Sequence, residues 1–192
     1  MSIPSGHQAF LQALAQRKVM NEKQAIEVLK MIGKSGIGKN QSTDVDDVIK
    51  TINKKLIQCS ELEIRGVYLA KENGGTERVF VLINPINDEI AKAEGNSISA
   101  TDAALFRKVL TKIANSSDYH CALTDFDRGQ LTLRKFTTFL NVLTEQGWLE
   151  HFHAHDTFTF GTRTFVELAD HLRNMEVDVP QQIFLANVSA GK

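Results

Sequence analysis

The sequence predicts a mainly α-helical chain with small β-hairpins, arranged as two modules that repeat one order of elements. Three observations carry this. Apolar residues recur at helical spacing in short stretches, turn-forming residues separate runs rich in β-formers, and the order helix, helix, helix, hairpin occurs twice within 192 residues. Two modules of about 90 residues each suit that length.

In the first module, Gln8–Arg17 places Phe10, Leu11 and Leu14 on one face, which predicts a first helix. Asn21 precedes a second periodic stretch carrying Ala25, Ile26, Leu29 and Ile32. Gly33–Ser42 reads as a glycine-rich connection. Thr43, with Asp46 three residues on, forms a variant capping box, and Val45, Val48, Ile49, Ile52 and Leu56 extend a third helix to about Gln58. Leu62–Ala70 and Val79–Asn84, separated by the turn formers of Glu72–Glu77, predict a β-hairpin. Three helices closed by a hairpin are the order of a winged helix.

The second module begins with Ser99 and Asp102 as another capping box, ahead of Leu105, Phe106, Val109, Leu110 and Ile113. A shorter segment follows at Leu123–Gly129. Thr132 caps a helix bearing Phe136, Phe139, Leu140 and Leu143, which Gly147 stops at its C-terminus. Trp148–His151 and Thr157–Phe160 predict the second hairpin. Phe165, Leu168, Ala169 and Leu172 then mark one helix over Thr164–Asn174, after which Asn174–Lys192 turns irregular around Pro180. The expected division is a winged-helix domain at 1–85, a second at 86–175, and a C-terminal tail at 176–192.

The hydrophobic fraction of 42% and charged fraction of 23% are those of an ordinary folded chain. No run approaches the roughly 18 apolar residues that span a bilayer, so no membrane role is expected. The N-terminus lacks a basic region followed by an apolar one, so no export signal is read there. Cys59 and Cys121 lie far apart without paired spacing, which argues against a disulfide framework or a zinc site in this chain and for a reduced compartment. The sequons at Asn40, Asn115 and Asn187 are read as chance. Net charge is −1; splitting after Ile98 leaves 13 basic against 12 acidic residues, then 9 against 11. Neither half is a basic nucleic-acid module, so DNA contact is expected to be weak or shared with partners.

Four motifs invite chemistry and carry little. Gly33–Asn40 matches the glycines and lysine of a phosphate-binding P-loop, but a helix precedes it where a strand is needed, and Asn40 replaces the magnesium-binding hydroxyl. His151, His153 and His155 alternate, which predicts an exposed face of the wing with Phe152 and Ala154 turned inward. Same-face residues of one strand lie roughly 7 Å apart, too far for all three to reach one zinc. Asp125 and Asp127 begin no EF-hand, because Phe136 stands where the bidentate glutamate is required. No Gly-x-Ser-x-Gly elbow is present.

A set of longer segments goes further. The run Gln8–Ala25, Leu62–Val67 leading to Val81–Asn84, Leu105–Lys108, and Gly147–Leu149 through Phe158–Arg163 together resemble the non-SMC element one subunit of the SMC-five/six complex, over about His7 to Asn174. The resemblance implies two winged-helix domains that pack against a MAGE-family winged-helix subunit, with a kleisin subunit joining them indirectly to the SMC heads. It implies nuclear work in DNA repair and recombination. Such proteins also end in a RING-like zinc domain linked to ubiquitin ligase activity. Here the residues after Pro180 contain neither Cys nor His, so no catalytic site and no cofactor are expected in this chain, zinc belonging only to a RING-like domain beyond it.

Partner contact is accordingly expected at Phe10 and Leu14 of the first helix, Trp148, Phe158 and Phe160 of the second wing, and Phe165, Leu168 and Leu172 of the last helix. Auxiliary DNA contact is expected at Lys50, Lys54, Lys55, Arg134 and Lys135, on the third helix of each module. Asp44, Asp46 and Asp47 crowd the start of the first of these helices and would repel phosphate. A scaffold subunit is the leading reading; a winged-helix DNA-binding regulator is the alternative, and a ligase subunit whose RING-like domain is absent is a third.

Overall fold

The computed structural model describes residues 3–37, 42–60, 62–70, 75–84, 100–177 and 184–186. They fall into two compact units, each with its own core.

The first unit runs α1 (Ser5–Arg17), β1 (Val19–Asn21), α2 (Glu22–Lys34), α3 (Val45–Cys59), β2 (Glu63–Ala70) and β3 (Thr76–Ile83). Lys18, in the left-handed region at φ 65°, ends α1 by donating its amide to the Leu14 carbonyl. Asn21 closes a full capping box on α2: its side chain accepts from the Gln24 amide at 2.8 Å, and its own amide donates to the Gln24 side chain at 3.0 Å. The third helix is capped one residue later than its sequence suggests. Asp44, not Thr43, accepts from the amides of Asp46 and Asp47, because its shorter reach to the first turn serves two donors at once. The short β1 pairs antiparallel with β3, Met20 opposite Phe80, and β3 pairs with β2 along its whole length. Phe10, Leu14, Val48, Ile49 and Ile52 from the helices meet Met20, Ile64 and Phe80 from the sheet in one core.

The second unit follows the same order: α4 (Ala100–Ala114), β4 (Cys121–Ala122), a 3-10 turn at Leu123–Asp125, α5 (Leu133–Glu145), β5 (Leu149–Phe152) and β6 (Thr157–Phe160). Ser99 lies outside the described residues. Only a single turn stands where the first unit has its second helix, Asp125 folding back to accept the Ala122 amide at 3.0 Å. Thr132 caps α5 as its position predicts, accepting from the Lys135 amide. Gly147, at φ 79°, lets the Trp148 amide reach back to the Leu143 carbonyl at 2.9 Å, the Schellman close of a helix. The predicted final helix is broken in two, α6 (Thr162–Glu167) and α7 (Ala169–Asn174), by Leu168, whose backbone leaves the helical region at φ −112° and ψ 22°. The break turns Leu168 and Leu172 into the core beside Trp148 and Phe160.

The chain then returns to the first unit, where β7 (Phe184–Ala186) pairs antiparallel with the outer side of β2. The first unit's sheet is therefore ordered β1-β3-β2-β7 and the second's β4-β6-β5. Within the stretch read as an irregular tail, residues 178–183 and 187–192 lie outside the described ones. The whole is a mainly α chain with small β-hairpins, both units keeping the winged-helix order.

Candidate protein and nucleic-acid interfaces

The apolar residues expected to meet a partner are, in this chain, core. Phe10, Leu14 and Leu172 have no exposed surface, and Trp148, Phe158, Phe160 and Leu168 are buried as well. Phe165 is partly buried, its ring edge-on to Phe160 at 5.8 Å. Each of these side chains is consumed in packing its own unit. Periodicity marks the buried face of a helix, and in units this small the buried face is the core. Among the described residues the exposed large apolar ones are others: Ile26, Met31, Ile37, Ile57 and Leu62 in the first unit, Leu133 and Val142 in the second.

Trp148 organises the second unit's end. The Arg163 guanidinium lies 4.1 Å from its ring centre and pairs with Glu167 one turn along α6, both side chains buried. The Thr164 hydroxyl donates to the Trp148 carbonyl at 2.5 Å. Gly161 makes the approach feasible, since a Cβ there would collide with the Gly147 carbonyl and lie 2.8 Å from the Trp148 carbonyl carbon.

Of the residues expected to touch DNA, Lys50 and Lys54 are exposed on α3 and Lys55 is half-buried, while Arg134 and Lys135 are exposed in the first turn of α5. The acids at the start of α3 are not merely solvated. Asp44 is spent on capping, and Asp46 pairs with Arg78 of β3, which also reaches Glu22 of α2 at 3.5 Å. The Arg78 guanidinium sits 4.9 Å from the Phe80 ring centre and 5.9 Å from that of Tyr68. Burial opposes its charge, but the hydrogen bond and charge of Asp46, with Glu22, outweigh that and raise its pKa above the ordinary arginine value. One half-buried cation thus pins the first turns of two helices to the wing. A cleft of about 370 Å³ opens there, with Ile26, Leu29 and Val45 as its apolar lining, Glu22, Asp44 and Asp46 as its acids and Lys30 and Arg78 as its cations. The start of α3 carries Asp44, Asp46 and Asp47, which deprives the exposed Lys50 and Lys54 of the usual groove-reading end of the helix.

The other motifs resolve locally. In the P-loop look-alike, Gly33 and Lys34 belong to α2, and residues 38–41 lie outside the described ones. The histidine row does not form. Strand β5 ends at Phe152, so His153, Ala154 and His155 occupy an exposed turn that Asp156 closes at φ 50°; Ala154 does not point inward. His151 stacks on Phe158 at 4.4 Å and bonds Asp156 at 2.9 Å. Asp127 accepts from the Gly129 amide at 2.9 Å and the Lys108 ammonium at 3.0 Å, which lower its pKa in that order. Among the described residues no group of three or more His, Cys, Asp or Glu side chains is placed to hold a metal ion, and no helix is long and apolar enough to cross a membrane. Burial raises the Cys121 thiol pKa, which keeps it protonated and unreactive.

The family described as "Nse1 non-SMC component of SMC5-6 complex" matches residues 7–127, from α1 through the 3-10 turn of the second unit. The chain belongs to this family. A chain of a solved structure described as "Nse1-Nse3-Nse4 complex" shares the fold over 96% of this chain and 82% of its own, with a TM-score of 0.74 at 20% sequence identity. No curated protein matches the chain. The Trp148 knot lies beyond the residues that the family match spans.

Sequence reasoning missed four residues of this family member that tie its elements together, Asn53, Arg78, Arg163 and Glu167, and a fifth, His7, that is buried without a hydrogen-bond partner. Asn53 carried a readable signal, a polar residue among the apolar positions of α3. Arg78, Arg163 and Glu167 carried none, because their partners lie on other elements or one turn away in a helix whose start was placed late.

Proposed function

We propose that this chain is an interaction subunit of an SMC5-6 complex, binding a MAGE-family subunit and, with it, a kleisin, in nuclear DNA repair and recombination. The observation that carries the reading is family membership over 7–127, in a family described by its place in that complex. The likeness of fold to a chain of an Nse1-Nse3-Nse4 complex supports it. So does the chain's near-neutral charge of −1, which suits contact with protein more than autonomous grip on a phosphate backbone. Since the predicted apolar contacts are core, partner contact falls to the exposed apolar residues, foremost Ile57, Met31 and Leu133, at 61%, 56% and 53% exposure.

Co-expression with the MAGE-type and kleisin subunits tests this. Size-exclusion chromatography with light scattering should return one stoichiometric complex, and Ile57→Asp or Leu133→Asp should weaken it while leaving the chain folded. A chain that stays a lone monomer beside those subunits, yet binds duplex DNA with a steep salt dependence, would overturn the proposal in favour of a DNA-binding regulator.

A further inference from the structure

Helix α3 packs on α1, α2 and β2 with one face and leaves the other open to solvent. Lys50, Lys54 and Ile57 lie on successive turns of that open face, and all three are exposed. Ile57, at 61%, is the most exposed large apolar side chain among the described residues. Among those residues neither lysine ammonium has an ion-pair or hydrogen-bond partner. The acids of the helix stand at its other end, where Asp44 caps the first turn and Asp46 pairs with Arg78. The open face therefore changes along its length, acidic in the first turn, cationic and apolar beyond it. A phosphate backbone answers the lysines alone. Two free cations beside a bare isoleucine are matched better by a protein segment that brings carboxylates and an apolar side chain on one face.

We propose that the open face of α3 docks an acidic, amphipathic helix of a partner protein, whose carboxylates meet Lys50 and Lys54 while an apolar side chain covers Ile57. The spacing sets what that helix must carry: two carboxylates three or four residues apart, with the apolar residue one turn away on the same face. The inference rests on the reading of this chain as an interaction subunit, and adds to it the chemistry of the segment that is gripped.

The experiment measures the affinity of the full chain for the co-purified MAGE-type and kleisin subunits by isothermal titration calorimetry at low and high salt. Lys50→Glu with Lys54→Glu should raise Kd at least about tenfold and flatten its salt dependence. Ile57→Ala should raise Kd about tenfold with the salt dependence intact. Lys23→Glu with Lys112→Glu makes the same change of charge on exposed helical positions elsewhere, and should leave Kd within about twofold. Urea midpoints equal to that of the parent establish that each variant is folded. Equal weakening by the two double variants would reduce the effect to net charge and overturn the docking face. A complex as tight with Lys50→Glu and Lys54→Glu as with the parent overturns it and spares the subunit reading, whereas a parent that binds neither subunit overturns both. Loss of duplex DNA binding in that variant, with the complex unchanged, overturns it in favour of nucleic acid.

Discussion

The carboxamide of Asn53 and the backbone of Ile64 exchange two hydrogen bonds, Nδ2 to the Ile64 carbonyl and the Ile64 amide to Oδ1, each 2.8 Å long. Asn53 is 1% exposed, so the pair is shielded from water. In effect a side chain of α3 completes the ladder at the start of β2 and sets where the wing leaves the helices. Asn53→Leu keeps the volume and strands both backbone groups. The first unit should lose about 2–4 kcal/mol, since each unsatisfied buried group costs about 1–3 kcal/mol. Urea unfolding followed by far-UV circular dichroism measures this, and a loss under about 0.5 kcal/mol would show that the wing does not depend on Asn53.

Within the second unit the prediction concerns charge. Arg163 and Glu167 are paired inside the protein against Trp148. Glu167→Gln removes the carboxylate charge that faces the guanidinium and should cost about 3–5 kcal/mol, whereas Arg163→Met with Glu167→Leu should recover most of that. Trp148 is the single tryptophan, so its fluorescence follows this unit alone. A double variant as unstable as Glu167→Gln would mean that the cost is lost packing and not an isolated charge.

How much of this could be read beforehand follows from the range of each signal. Capping and periodicity act within a few residues, and there sequence and structure agree: Thr132, Gly147 and the apolar faces of α3 and α5 stand as predicted, whereas on α2 Val28 is buried and the expected Ile26 is exposed. Strands of two or three residues such as β1 and β4 fall below any periodic signal. The break at Leu168 also escaped, because apolar spacing continues through it while the backbone turns. For the expected interface residues the ambiguity is deeper. An apolar stripe looks alike whether it faces its own unit or a partner, and only packing showed that Phe10, Leu14 and Trp148 face inward.

Two glycines should respond in opposite directions to alanine. At Gly161 the new methyl has no room against Gly147 and Trp148, so Gly161→Ala should destabilise the second unit by about 1–3 kcal/mol. Gly33 is helical, with nothing within 4 Å of an added Cβ. Gly33→Ala should therefore stabilise α2, by about 0.5–1 kcal/mol. Differential scanning calorimetry of the two variants decides the matter. The Gly33 result also bears on the P-loop look-alike, since a backbone that cradled phosphate would have ATP raise the melting temperature of the parent and less so of the variant; no such rise is expected in either.

The last prediction follows from His7, which is 6% exposed with no hydrogen-bond partner for either ring nitrogen. Burial disfavours the charged ring and lowers its pKa below the ordinary histidine value. Above a pH of about 6.5 the ring is neutral in both folded and unfolded chains and contributes no pH dependence. As pH falls through that value the unfolded chain takes up a proton that the folded one refuses, and stability drops until pH passes the lowered folded pKa. His7→Leu removes the term and the two unsatisfied nitrogens together. The variant should be more stable at pH 7.5, and its advantage should widen at pH 5.5. Urea midpoints of both proteins at the two pH values test it; an advantage that stays constant between them would mean that His7 gains its proton in the fold as readily as out of it.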